Sequence, residues 1–384
     1  MLRIRPRTAL LAGLAPVVAL GPAVPSMPVP APASETAAHH VSASAFRIAA
    51  RSHFGQPGNA SGFAVIVVTG RRQAWAFGGT NPGGSSAPVA ALWNGTHAAP
   101  VKLPAGLRDF ISDASASGPN DVWAASQYGR YVLRWDGTRW RLAHKWRTGQ
   151  INGIDTINSR DVWVFGTTVT GSERMGTWHY DGRSWTKVRG VARTILRGSS
   201  LSRHDIWAIA RGRATDSVVR FNGTSWRPLA TRGALQGIRA HDILAMSNHD
   251  VWIAGDSTGK SGGRLVLTHW DGKSWHRIAT RIHAWAGRLA VGPHGSVLVT
   301  ATPLSLVGTG LVLQVSGRGK VSAASFQSPL GSGVSDIVMS RNGLTLWATG
   351  GVLTRQGGDA AIWTFRLSSA ARDLERRETA GATP

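Results

Sequence analysis

Apolar residues along this chain come in short bursts bounded by Gly, Asp, Asn and Ser, and a Trp marks most of the bursts. The segments are QAWAFGG (Trp75), DVWAAS (Trp123), DVWVFG (Trp163), DIWAIA (Trp207), DVWIAG (Trp252) and TLWATGG (Trp347). Successive Trp residues lie 48, 40, 44, 45 and 95 residues apart. GSVLVTA divides the long step into 45 and 50, with Val297 at the Trp position. Short apolar runs between turn signals predict strands. Seven units of about 45 residues with several strands each predict a β-propeller.

Residues 108–142 make the clearest unit. RDFISDAS (108–115) reads as a first strand, SGPN (117–120) as a turn and Asp121 to Ala125 as a second strand. GRYVLRW (129–135) reads as a third strand, Asp136-Gly137 as a two-residue hairpin turn and TRWRLA (138–143) as a fourth. The hairpin recurs at Asn94-Gly95, Asp181-Gly182, Asn222-Gly223 and Asp271-Gly272, and a second Trp follows at Trp140, Trp185, Trp226 and Trp275. A four-stranded sheet has two apolar faces that only its neighbours can cover, so the repeated Trp residues predict packing between sheets. The last unit supplies strands at 334–340, 344–351 and 360–367 and then a charged tail. SAFRIAARS (44–52) has strand character but no unit of its own. The expectation is a single all-β domain over 44–367, a seven-bladed propeller closed by that N-terminal strand. A polar tail follows over 368–384.

The chain has 384 residues and a formal net charge of +23, with 43 Lys and Arg against 20 Asp and Glu. Such a field attracts polyanions, although an Arg-rich composition alone would give the same number. There is no Cys, which excludes disulfides, thiolate nucleophiles and zinc–thiolate sites. At the N-terminus, three Arg precede an apolar run interrupted by Gly13, Pro16, Gly21 and Pro22. This predicts a signal peptide over 1–33, a linker over 34–43, and a secreted, extracellular, monomeric mature chain without a membrane span.

The repeats resemble those of secreted bacterial β-propeller proteins with degenerate D-V-W-x-x-G and W-D-G-x-x-W motifs. That group is associated with kelch, galactose oxidase central-domain and WD40-like propellers. The resemblance covers residues 44–367 and implies an architecture but no particular activity. Galactose oxidase-like chemistry needs a Cys, which is absent. A sialidase-like site needs Tyr, Glu and clustered Arg, whereas there are 3 Tyr residues and Glu173 is alone among the repeats.

The repeated carboxylates Asp121, Asp161, Asp205 and Asp250 precede Trp in unit after unit, which marks a structural turn and not a unique catalytic site. Asp113, Asp155, Asp242 and Asp336 stand apart. They are read onto innermost strands facing a central channel, solvated there in preference to holding a cation. The His residues show no metal-ligand spacing, so no cofactor or metal is expected.

Connections between one unit's last strand and the next unit's first are expected to share one face. They carry His144, Lys145, Trp146 and Arg147; Arg189 and Arg193; Arg232 and Arg239; and Arg281, His283, Trp285 and Arg288. Trp146 and Trp285 fall outside the repeat positions. Cations interleaved with aromatic rings suit anionic polymers. The favoured reading is a non-catalytic binding module for a cell-wall polymer, acidic polysaccharide, extracellular DNA or a protein. The alternatives are an extracellular glycan hydrolase or lyase at the channel mouth, using Asp155, Asp242 or a dispersed His, and a purely structural role.

Overall fold

Alternating side chains and frequent turn residues give strands throughout, and the described residues contain no α-helix, only a 3-10 turn at Pro293–Gly295. The computed structural model describes residues 46–366 apart from 57, 82–85, 168–174, 189–193, 259–262, 305–308, 318, 327–330 and 356. The expected signal peptide, linker and C-terminal tail lie outside the described residues, as does Glu173. Among the described residues no helix is long and apolar enough to cross a membrane.

The strands group in antiparallel fours, each in sequence order. Asp113–Gly118, Asp121–Ser126, Tyr131–Trp135 and Trp140–Lys145 form one sheet. Gln150–Asn158, Asp161–Thr167, Thr177–Tyr180 and Trp185–Val188 form another, followed by Ile195–Ser202, Asp205–Ala210, Ser217–Phe221 and Trp226–Leu229. Ile238–Ser247, Asp250–Ser257 and Arg264–Trp270 come next, and their fourth strand is shared. Trp275–Val291 pairs with Arg264–Trp270 through its first part and with Val297–Pro303 through its second. Gly310–Val315 and Val321–Phe326 complete that later group.

The remaining sheet holds both ends of the repeat. Ala60–Val68, Ala74–Asn81, Ala87–Trp93 and Ala98–Pro100 form one half, and Ser332–Met339, Thr345–Thr354 and Gly357–Arg366 the other. The halves meet at a single parallel bridge between Ala60 and Gly358. Arg47–Ser52, from the segment read as an unassigned strand, pairs antiparallel with Gly357–Arg366, Arg47 opposite Thr364 and Ser52 opposite Ala360.

Two details differ from the sequence reading of residues 108–142. The first strand begins at Asp113, because Asp109 takes a left-handed φ of 73° and accepts the amides of Tyr128 and Gly129 at 2.8 and 2.9 Å. The hairpin after Trp135 spans four residues before Trp140. Gly137 turns with φ 96°, and Asp136 Oδ1 accepts the amides of Thr138 and Arg139, both at 3.0 Å.

Each repeat Trp is buried against the sheet that follows its own. Trp123 packs with Val162 and Val164, Trp163 with Ile206 and Ala208, Trp207 with Val251 and Ile253, and Trp252 with Val297 and Val299. Trp347 packs against Ala74, Ala76 and Trp93, from the first group. The Asp two residues earlier satisfies the indole: Trp123, Trp163 and Trp252 donate to Asp121, Asp161 and Asp250 at 3.1, 3.0 and 2.7 Å. A His or Arg from the third strand completes the set. His179 and His269 bond Asp161 and Asp250 at 2.8 and 2.9 Å and stack on Trp163 and Trp252. Arg134 lies 5.0 Å over Trp123 and bonds Asp121. In the fourth variant Arg220 takes both oxygens of Asp205 at 2.6 and 2.7 Å and lies 4.9 Å over the Trp207 ring, whose N–H has no hydrogen-bond partner among the described residues.

Deleting residues 44–52 removes the strand that covers the edge of Gly357–Arg366 and uncovers apolar surface around Ile362 and Trp363. Unpaired edges template aggregation. The expected outcome is a melting temperature lowered by at least several degrees, with concentration-dependent light scattering; an unchanged melt would show that the pairing contributes nothing.

Candidate functional site

The first strands of successive groups run side by side and surround a cavity of about 290 Å³. Their ladders are irregular at matching places. Register shifts fall between Phe63 and Val65, Ile151 and Gly153, Ile195 and Arg197, Ala240 and Asp242, Ala286 and Leu289, and Val334 and Asp336. A bulge re-aims a side chain and frees backbone groups from the ladder. First strands lie at the edges of their sheets, where alternate amides point away from the ladder, and several of these are taken by carboxylates of the preceding first strand. Asp113 accepts from Ile154 at 2.8 Å, Asp155 from Ser200 at 2.6 Å, Asp242 from Leu289 at 2.8 Å and Asp336 from Ile66 at 2.9 Å. Ser115 and Ser199 do the same through Oγ for Thr156 and Ala245, at 2.9 and 3.0 Å.

Two guanidiniums enter among these carboxylates. Arg288 donates through Nη2 to Asp113 Oδ1 at 2.6 Å and to the Ser112 carbonyl at 3.0 Å. Arg197 donates through Nη1 to Asp113 Oδ2 at 3.0 Å and to the Asn152 carbonyl, and its Nε lies 4.0 Å from Asp242. Asp113 therefore ties three separate groups across the cavity. The charged residues at 113, 155, 197, 242, 288 and 336 are spaced by 42, 42, 45, 46 and 48 residues. They form a second repeat in step with the Trp repeat, and that spacing is the signal by which Arg197 and Arg288 are assignable to the cavity.

The carboxylates are costly to hold ionised. Burial pushes Asp336 up to about 7, against the opposing field of Arg288. Burial likewise pushes Asp155 up to about 6, against the hydrogen bonds from Ser200, and raises Asp242 against Arg288 and Arg197. Burial lowers Arg197, and the neighbouring Arg288 charge adds to this. For Arg288 burial acts in the same direction but is outweighed by Asp113, Asp242 and Asp336, so its pKa is raised. These four Asp residues are thus not solvated in a wet channel, as their isolation in the sequence suggests; they are buried or half-buried and bonded to backbone. Among the described residues no cluster of His, Asp or Glu is arranged to hold a metal ion.

The residues expected to form a basic and aromatic face are divided by the structure. Arg288 is in the cavity. Trp146 is buried at 6% exposure with Trp123, Ile151 and Met175, so its ring face is unavailable for stacking. His144 packs against Trp146 at 4.5 Å between centroids, and burial lowers its pKa. Lys145, Arg147, Arg232 and Arg239 are exposed, as are Arg281 and His283. Trp285 is 54% exposed. Arg281 to Arg288 belong to the shared strand Trp275–Val291 and not to a loop. Arg189 and Arg193 lie outside the described residues.

Antiparallel order puts the start of each first strand, the second-to-third link and the end of each fourth strand at one end of its sheet. The described carboxylates at that end are turned inward. Asp109 accepts the Gly129 amide at 2.9 Å, Asp216 the Ala240 amide at 3.1 Å and Asp256 the Ala286 amide at 2.7 Å, while Asp359 pairs with His53 at 3.0 Å. The cations at the same end, Lys145, Arg147, Arg232, Arg239, Arg264 and Arg281, have no ion-pair partner among the described residues.

Sheets of four antiparallel strands set around a common cavity define the β-propeller class, and solved structures agree. YCF48 bound to D1 peptide superposes with a TM-score of 0.56 at 14% identity, over 82% of this chain and 94% of its own. A catalytically inactive virginiamycin B lyase from Staphylococcus aureus with quinupristin gives 0.55 at 10% identity, over 84% and 100%. The GH74 xyloglucanase from Xanthomonas campestris gives 0.55 at 16% identity, over 79% of this chain and 53% of its own. At these identities the likeness is one of fold alone. No family model matches the chain, and no curated protein does.

Two outcomes follow from the cavity. A carboxyl whose folded pKa is raised binds its proton more tightly in the folded state, so its contribution to stability is full below its unfolded value near 3.8 and is lost as pH rises towards 7. Asp336→Asn keeps an acceptor for Ile66 and cannot ionise. Between pH 5 and 7.5 the wild type should lose more thermal stability than this variant; parallel melting curves would refute the ionisation cost. Arg288→Met leaves Asp113 facing Arg197 alone. Breaking a buried ion pair costs about 3–5 kcal/mol, which urea unfolding would register, and binding at the exposed face should be unaffected in whatever protein stays folded.

Proposed function

We propose that this chain is a secreted, seven-bladed β-propeller closed by its N-terminal strand, and that it works as a non-catalytic binding module. Its ligand is an anionic extracellular or cell-envelope polymer, taken up on the face where successive groups are linked. One observation carries this reading: the described carboxylates on that face are bonded inward, while Lys145, Arg147, Arg232, Arg239 and Arg281 are exposed and unpaired. A surface of one sign raises local counter-charge concentration and speeds association. The strand Arg47–Ser52, paired with the last strand of the repeat, supports the closure, and the signal-peptide pattern of residues 1–33 supports export.

The cavity favours no ligand in this reading. Its carboxylates hold neighbouring strands, and Arg197 and Arg288 bridge it. A glycan hydrolase or lyase is the second reading, and the raised Asp155 and Asp336 favour it, since a general acid needs an elevated pKa. A protein partner is a further ligand class, in keeping with the peptide bound to one structural neighbour.

The test is binding of the purified chain to anionic and neutral polymers across a salt series. Neutralising Z phosphate-like charges gives a steep loss of affinity with salt. Joint substitution of Lys145, Arg147, Arg232 and Arg239 by Ser should weaken binding by about tenfold or more and flatten the salt slope. Binding that ignores salt would overturn the polyanion reading, and release of reducing ends from the polymer would turn it towards hydrolysis.

A further inference from the structure

One exposed corner of this face combines features that bulk charge does not explain. Along Trp275–Val291, Arg277, Arg281, His283 and Trp285 are exposed while Ala284 and Ala286 are buried. Arg264 lies opposite His283 on the neighbouring strand. Leu304, itself 37% exposed, donates its amide to the His283 carbonyl at 3.0 Å. Arg277 donates to the Gln236 carbonyl at 3.0 Å, which brings the Arg232–Arg239 connection alongside. Trp285 is the most exposed large apolar side chain described, and Trp residues elsewhere in the repeat are packed. Exposing an indole to water at such a position is unfavourable without a partner.

We infer that this corner is a sugar-binding subsite for a carboxylated polysaccharide: one ring lies on Trp285, and neighbouring carboxylates are held by Arg281 and Arg264. The inference rests on the polyanion reading above and names its substrate class. Three observations favour a uronate polymer. The cations flanking the indole are Arg, whose planar fork matches a carboxylate with two parallel hydrogen bonds. Exposed residues two apart on a strand are spaced by about 6.6 Å, so Arg281, His283 and Trp285 follow one another at a spacing that suits a linear chain. Among the described residues this corner carries one exposed indole, whereas single-stranded nucleic acid is held by a succession of rings on which consecutive bases stack. His283 and Leu304 border the platform and offer a donor and an apolar wall to the faces of a sugar.

The test titrates the purified chain with a polyuronate (alginate), a neutral dextran of equal length and a single-stranded oligothymidylate of matched charge, following indole fluorescence and calorimetric heat. Alginate should bind and quench fluorescence, and dextran should not. Trp285→Ala should lower alginate affinity about tenfold or more and abolish the quench, and Arg281→Ser should lower it several-fold. Arg341→Ser, an exposed cation at the opposite end of its sheet, should change nothing beyond the common salt dependence. The subsite is overturned if Trp285→Ala binds alginate like the wild type, if Arg341→Ser loses as much as Arg281→Ser, or if oligothymidylate binds more tightly than alginate. In those cases the polyanion reading survives without this corner. Absence of binding to every anionic probe would remove the polyanion reading itself and the subsite with it.

Discussion

A carboxylate reaching from one first strand to a freed amide of the next is the constraint on which the rest depends. Neighbouring sheets pack through apolar faces, which are tolerant of sliding. The bonds from Asp113 to Ile154, Asp155 to Ser200, Asp242 to Leu289 and Asp336 to Ile66 are not tolerant, since a shift of one residue leaves a buried carboxylate and a buried amide both unpaired. They fix how each sheet is set against its neighbour, and so fix where every link on the exposed face lies.

The same bonds explain a contradiction in the charge distribution. A chain with a net charge of +23 places four Asp at its centre together with two Arg. Inward carboxylates are satisfied by backbone dipoles more than by cations, and burial leaves several reluctant to ionise. This leaves the positive surface uncompensated at the linking end, where Asp109, Asp216 and Asp256 are also committed to amides. The surface field therefore follows from how the interior is tied, and not from the count of Arg alone.

Much of the architecture was legible because it repeats. The Trp spacing located the strands, and the D-x-W pattern located a turn whose carboxylate serves the indole two residues on. Asp113, Asp155, Asp242 and Asp336 stood out because they break the turn pattern. What was illegible depended on bulges. Read as part of a linking loop, Arg288 belongs with Arg281 and His283 in one charged run, whereas all three lie in the strand Trp275–Val291 and Arg288, beside the shift between Ala286 and Leu289, enters the cavity. Trp146 lies off the repeat and so looked free, but the pocket between Met175, Trp178 and Trp185 exists only after two sheets have met. The third-strand partners of the indole, His179 and Arg220 among them, were likewise invisible, because cross-strand register cannot be read from a single strand.

The pairing of Arg47–Ser52 with Gly357–Arg366 has a consequence for the order of events in the cell. Among the described residues the first strand, Arg47–Ser52, has its partner in the last, Gly357–Arg366. It must wait unpaired, exposing Ile48 and its neighbours, until almost the whole chain has been synthesised. Loop closure over such a span is slow relative to the local hairpins, so the individual sheets form early and the final seam forms last. A chain built this way holds its separate sheets before the strands from its two ends have paired.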